Sequence, residues 1–177
     1  MTEPVHLRPL HSSDAPAVLD SFQSNPDMAR QGSVTTLAEA ERYVADLLTP
    51  NQRPWVIAHH GTLAGLVLVS IDTANRNGWV SYWMNESLRG GGWMSRAAAT
   101  VANWALADAG LERLELGHRA NNPASGAVAR AAGFVWEGTE RAKFLIDGQR
   151  IDVLTYGRLR SDPVPTREPL TMNQGDR

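Results

Sequence analysis

The sequence predicts a mixed α/β (α+β) fold, a single sheet with helices on both faces, and three observations carry that prediction. A run rich in aromatic and β-preferring residues, Trp79-Val80-Ser81-Tyr82-Trp83-Met84, leads through a glycine loop into the clearest helical spacing of the chain: Met94, Ala97, Ala98, Val101, Trp104 and Ala105, closed by Gly110. Directly after that helix, Leu111 to Leu116 alternates apolar and charged residues as a strand does, which completes a β–α–β unit. Asp147-Gly148 stands between two β-preferring runs and marks a two-residue hairpin.

The remaining elements follow in order. Val5 to Leu10 reads as a first strand, and Ser12-Ser13-Asp14 offers caps for a helix reaching Gln23, broken by Ser24-Asn25-Pro26-Asp27. A polar loop carrying Arg30 leads to a second helix, opened by a capping box from Thr36 to Glu39 and stopped at Pro50. Trp55 to Ala58 and Leu63 to Ile71 are strands joined through His60-Gly61-Thr62, and Asn75-Arg76-Asn77-Gly78 turns the chain into the Trp79–Met84 strand. Asn122-Pro123 provides an N-cap with proline at the first helical position, and that helix ends at Gly133. Phe134 to Ile146 and Arg150 to Leu159 are the last two strands. The order is β, α, α, β, β, β, α, β, α, β, β, one domain over 1–160. In 161–177 three prolines and scattered polar residues offer little to bury, so this tail is expected to be disordered.

Composition excludes several function classes. The 177 residues contain no cysteine, so no disulfide, thiolate metal site or cysteine nucleophile is available. Five scattered histidines have no ligand spacing, and no metal is expected. A net charge of −2 gives no electrostatic reason for a nucleic-acid partner, and sixteen of the 17 basic residues are arginines spread without a stripe. No apolar run approaches membrane-spanning length and no export signal opens the chain, so a cytoplasmic protein without a membrane partner is expected.

The chemistry concentrates at Leu88-Arg89-Gly90-Gly91-Gly92-Trp93-Met94-Ser95. Three glycines at a helix start expose backbone N–H groups, and no Ser, Thr, Asp or Asn stands there to cap them. Those donors and the helix dipole suit an anion, so the loop reads as a phosphate cradle. Gly90-x-Gly92 also admits a dinucleotide-binding oxidoreductase, but Ser95 stands where that fingerprint has its third Gly or Ala, and one β–α–β unit is too little for a two-halved nucleotide fold. Asn122 has a complete structural explanation as an N-cap, and Tyr82 and Trp83 as core residues.

Arg89-Gly90-Gly91-Gly92-Trp93-Met94 after the fourth strand, Asn122-Pro123-Ala124-Ser125 followed by Gly133-Phe134, Glu137-Gly138, and the Asp147-Gly148…Asp152 hairpin together resemble the GNAT acetyltransferases, in particular their RimJ/RimL-like branch. The resemblance spans Val5 to Leu159. Within the cofactor-loop pattern, Arg89 and Gly92 match and Met94 departs. The resemblance implies a mostly antiparallel seven-stranded sheet and acetyl transfer from acetyl-CoA to a primary amine, either a protein N-terminus or a small molecule.

It further implies that backbone groups from Gly90 to Met94, with Gly91, Gly92 and Trp93 between, hold the pyrophosphate, and that Arg89 adds charge. Backbone groups near Trp83 and Met84 would hold the pantetheine arm and polarise the thioester carbonyl, and Asn122 would bond that arm. The tyrosine that many members place seven residues after the Asn is Ala129 here, so Ser125 takes the place of the acid toward the departing thiolate. Glu115 on the fifth strand is the expected base toward the protonated amine, directly or through water, and the glutamate that the branch often carries on its sixth strand is Phe144 here. Asp27, Arg30 and Asp147 are expected to read charge on the acceptor. These departures leave open a non-catalytic acyl-CoA sensor, and a homodimer stays open as well.

Overall fold

The computed structural model describes residues 5–173. The strands are β1 (His6–Pro9), β2 (Gln52–His59), β3 (Thr62–Asp72), β4 (Asn77–Met84), β5 (Arg113–Arg119), β6 (Val135–Ile146), β7 (Gln149–Leu159) and β8 (Thr171–Met172). The helices are α1 (Ala15–Ser24), α2 (Leu37–Leu47), α3 (Trp93–Ala107) and α4 (Pro123–Ala131). All eight strands form one sheet in the order β6-β7-β5-β4-β3-β2-β1-β8, and only the β4–β5 and β1–β8 pairs are parallel. A sheet with its antiparallel pairs in the majority is not the doubly wound parallel sheet of a dinucleotide-binding fold.

Local chemistry explains most element boundaries. Thr36 Oγ1 accepts from the Glu39 N–H while the Glu39 carboxylate accepts from the Thr36 N–H, so the expected capping box opens α2. Both two-residue hairpins put their central residues at positive φ, His60 with Gly61 and Asp147 with Gly148, the sign that matches the twist of the flanking strands. The first helix begins later than its Ser-Ser-Asp signal suggests. Ser12–Asp14 forms a 3-10 turn, and Asp14 is bound by Arg8 at 2.7 and 2.8 Å.

The two faces of the sheet carry separate cores. Ala97, Ala98, Val101 and Ala105 of α3 and Ala129 of α4 pack with Val67, Val80, Leu114 and Leu116. Val18 and Phe22 of α1 and Val44 of α2 pack with Val56, Leu66 and Trp83. Strand alternation on β4 therefore sends Trp83 to the α1–α2 side and Tyr82 and Met84 to the α3–α4 side.

The tail departs from the expectation of disorder as far as it is described. Leu170 is buried, its N–H donates to Thr100 Oγ1 at 3.0 Å, Arg96 holds the Glu168 carbonyl at 2.9 Å, and β8 adds an eighth strand beside β1. Composition misleads here because one buried leucine and two side chains of α3 suffice to anchor a proline-rich segment. Residues 174–177 lie outside the described part of the chain.

Candidate active site

Strands β4 and β5 pair only at Asn77↔Arg113, Gly78↔Leu114 and Trp79↔Glu115. Beyond Trp79 they part, so Val80 to Met84 and Leu116 to Arg119 have no ladder partner in each other. The opening is the centre of a cleft of about 600 Å³. A gap between two parallel strands exposes backbone N–H and C=O groups that a chain with amide groups of its own can satisfy.

At the end of β4 the glycine loop meets the N-terminus of α3. Gly90 and Gly92 have φ of +86° and +76°, a conformation that strains any residue with a Cβ. Gly92 is the N-cap of α3 and no side chain caps it, so the first-turn N–H groups stay open. Arg89 turns back so that its Nε donates to the Met84 carbonyl at 3.1 Å, and its guanidinium stands 3.5 Å from Asp27. The tail contributes a further cation, because the Arg167 guanidinium lies 3.7 Å from where a Cβ on Gly92 would sit. The ordinary chemistry of such a cradle is phosphate binding, and the open gap beside it suits an extended amide-bearing arm. Together they fit coenzyme A.

On the α4 side of the gap, the Tyr82 hydroxyl lies 2.8 Å from the Ser125 carbonyl oxygen and 3.0 Å from Ser125 Oγ. Burial pushes the Tyr82 phenol up to about 12, with the Ser125 bond acting in the opposite direction, so the phenol keeps its proton through the neutral range. Asn122 Oδ1 accepts from the Ser125 N–H at 3.3 Å, which makes Asn122 the N-cap of α4. His118 is buried beside them. Its Nδ1 lies 2.9 Å from the Arg119 carbonyl, which assigns the proton to that nitrogen and leaves Nε2 facing the Tyr156 hydroxyl at 3.4 Å.

The expected residues divide clearly. Asp27, Arg30, Trp83, Met84, Arg89, Gly90, Gly92, Trp93, Met94, Asn122 and Ser125 all line the cleft, whereas Gly91, Glu115 and Asp147 do not. Glu115 faces the α1–α2 side of the sheet, where Arg113 Nε binds it at 2.9 Å while the same guanidinium grips the Glu137 carboxylate with both terminal nitrogens. The paired carboxylates, Glu137 first, hold Arg113 above its ordinary value, and Glu137 is held below its own. This network occupies Glu115 outside the cleft. Asp147 is spent on the positive-φ turn. Tyr82 is the residue that reading the sequence as core missed. Alternation along β4 gives its face, but nothing in the sequence pairs it with a serine on a distant helix.

Comparison with known proteins agrees with this geometry. The model of the acetyltransferase (GNAT) domain family matches residues 5–135. The chain is 27% identical over 142 residues to the "Putative ribosomal N-acetyltransferase YdaF" of Bacillus subtilis (strain 168), covering 80% of this chain and 76% of that protein. It is 33% identical over 90 residues to the ribosomal-protein-serine acetyltransferase of Escherichia coli (strain K12), half of each chain. Among solved structures, RimL, a ribosomal L7/L12 alpha-N-protein acetyltransferase in complex with coenzyme A, superposes with a TM-score of 0.80 at 25% identity, covering 90% of this chain and 98% of that one. The chain belongs to the acetyltransferase (GNAT) domain family, in its RimJ/RimL-like branch, and is an acetyl-CoA-dependent N-acetyltransferase.

Proposed function

We propose that the acceptor is a protein N-terminus or a small-molecule primary amine, and that it enters from the α1–α2 side of the sheet and attacks the thioester directly. The observation that carries this is the parting of β4 from β5 with the Tyr82–Ser125 hydroxyl pair beside it. Bound acetyl-CoA supplies an activated acetyl group and a thiol leaving group.

In this reading the backbone N–H groups from Gly90 to Met94 hold the diphosphate, with Arg89 and Arg167 adding positive charge. Backbone groups near Trp83 and Met84, where β4 no longer pairs with β5, orient the pantetheine arm and the thioester carbonyl, where a fixed donor contributes most as charge develops on oxygen. Asn122 keeps its amide nitrogen for the arm while its oxygen caps α4. The amine must arrive neutral. Asp27, the carboxylate lining the cleft, stands 3.5 Å from both Arg30 and Arg89, so water takes the amine proton. The amine nitrogen bonds to the carbonyl carbon, the C–S bond breaks, and its electron pair stays on sulfur. Ser125 Oγ–H donates to the sulfur as it gains charge, and Tyr82 turns its O–H from the Ser125 carbonyl to Oγ, which strengthens that donor. The proton shed by the amine and the proton taken by the thiolate both exchange with solvent. Asp27 and Arg30 form the acceptor's entrance, and Asp147 lies further out.

The same reading takes the cytoplasm as compartment and calls for neither nucleic acid nor membrane. It leaves the edge strand β6, with Val135 and Trp136 exposed, as the surface for a homodimer. The test is release of free thiol from acetyl-CoA against peptide N-termini, amino acids, polyamines and aminoglycosides. Release with one acceptor class is expected. Tight acetyl-CoA binding with no release across the panel would contradict catalysis and return the site to a sensor.

A further inference from the structure

The fold alone does not choose the acceptor, because a spermidine N-acetyltransferase chimera superposes almost as well as RimL, with a TM-score of 0.78 at 20% identity. The walls of the cleft differ in what they can recognise. On β5, Leu114 and Leu116 pack under α3, so alternation sends Arg113, Glu115, Gly117 and Arg119 to the opposite face, away from the phosphate cradle's helix. Gly117 lets the Trp79 ring and Val153 close directly over β5 there. A Cβ on it would stand 3.1 Å from the Trp79 ring and 3.2 Å from Val153. The bulge in β6 between Glu140 and Phe144 brings Lys143 and Phe144 into the cleft from the far side, and the Arg119 guanidinium lies over the Phe144 ring at 5.4 Å.

Arg119 has no carboxylate partner among the described residues. The other cations of this wall are engaged: Arg30 stands by Asp27, and Lys143 is paired with Glu140, which does not line the cleft. An arginine stacked on an aromatic ring keeps its planar donor fork fixed and free to take a carboxylate with two hydrogen bonds. No carboxylate of the cleft is left over to receive a second ammonium group, since Asp27 lies between two arginines.

We propose that Arg119, supported by Phe144 and flanked by Trp79, Gly117 and Lys143, is a carboxylate-binding subsite for the acceptor, and that the acceptor is a peptide N-terminus followed closely by Asp or Glu side chains. This rests on the acetyl-transfer reading of the cleft and narrows its substrate. Polyamines and aminoglycosides, which carry several ammonium groups, are the wrong charge for this wall.

The test uses peptides that share one N-terminal residue and carry Asp-Glu, Asn-Gln or Lys-Arg at the next two positions. Their dissociation constants are measured by calorimetry on CoA-saturated protein, and thiol release from acetyl-CoA is measured separately. The acidic peptide is expected to bind about tenfold tighter than the neutral one, the size of one charge-assisted contact, and to lose that advantage in Arg119→Gln. Equal binding in the wild-type protein, or a preference for the basic peptide, would overturn the subsite. A preference that survives Arg119→Gln would overturn its assignment to Arg119, and free glutamate binding as tightly as the acidic peptide would overturn the peptide. Acid-selective binding without thiol release would instead contradict acetyl transfer to peptides while leaving the subsite standing, and release without acid preference would do the reverse.

Discussion

Tyr82 and Ser125 meet across the opening between β4 and α4, the phenol oxygen 2.8 Å from the serine carbonyl and 3.0 Å from its hydroxyl. One phenolic proton faces two acceptors on the same residue. The Ser125 hydroxyl can therefore release its own proton toward the cleft without leaving its oxygen unbonded.

Removing the phenol should weaken that donor and leave the cofactor site alone. Tyr82→Phe is expected to lower kcat about tenfold with little change in KM for acetyl-CoA, and Ser125→Ala to lower it by about 10- to 100-fold. Because the two act as one unit, Tyr82→Phe in the Ser125→Ala background should add almost nothing. Steady-state kinetics of the double-mutant cycle checks this, and additive losses would separate the residues.

The rate should follow the acceptor's own ionisation. With Asp27 held by arginines and Glu115 bound to Arg113, kcat/KM should rise with pH through the pKa of the acceptor amine, about 8 for an α-amino group, and then level off. Burial raises the Tyr82 phenol to about 12, so it stays protonated across that rise and adds no falling limb below that pH. A pH profile rising instead through the carboxylate range would reveal a protein base. Glu115→Gln should accordingly leave kcat/KM within about twofold, and a loss of tenfold or more would return the base to Glu115.

Gly92→Val should weaken acetyl-CoA binding. At a φ of +76° a β-branched residue is strained by about 1–2 kcal/mol, and its side chain would extend toward the Arg167 guanidinium beside the open N–H groups. Calorimetry should show a dissociation constant raised about tenfold or more. An unchanged value would remove the phosphates from this loop.

Much of this was legible in the chain. The glycine loop, the Asn122-Pro123 cap, the Thr36–Glu39 box and both positive-φ hairpins are local chemistry, and local chemistry survives folding. What the sequence hid was non-local. Glu115 stands at a suitable strand position, and its partner Arg113 is two residues away, but Glu137, which grips the same guanidinium, lies on a bulge of β6 whose register no periodicity reveals. The tail looked unpackable because its anchors are Thr100 and Arg96 of α3, many residues upstream. Arg119 and Phe144 are unremarkable apart and become a platform only when β5 and β6 are brought together through β7.

Stability should depend strongly on another non-local residue. Arg158 is 1% exposed, donates to the Ala132 carbonyl at 2.9 Å and to Asn103 Oδ1, and so ties β7 to α3 and the end of α4. Arg158→Ala leaves a cavity and two acceptors without their donor, which should cost about 3 kcal/mol. Chemical denaturation should show the midpoint falling at unchanged slope, and a loss under about 1 kcal/mol would contradict the tie.

The most direct test of the central claim is a crystal structure of the acetyl-CoA complex. The diphosphate is expected on the N–H groups from Gly90 to Met94 and the pantetheine arm between Val80–Met84 and Leu116–Arg119, with the sulfur nearest Ser125 Oγ. Acetyl-CoA seated elsewhere, or with its sulfur far from the Tyr82–Ser125 pair, would contradict that claim.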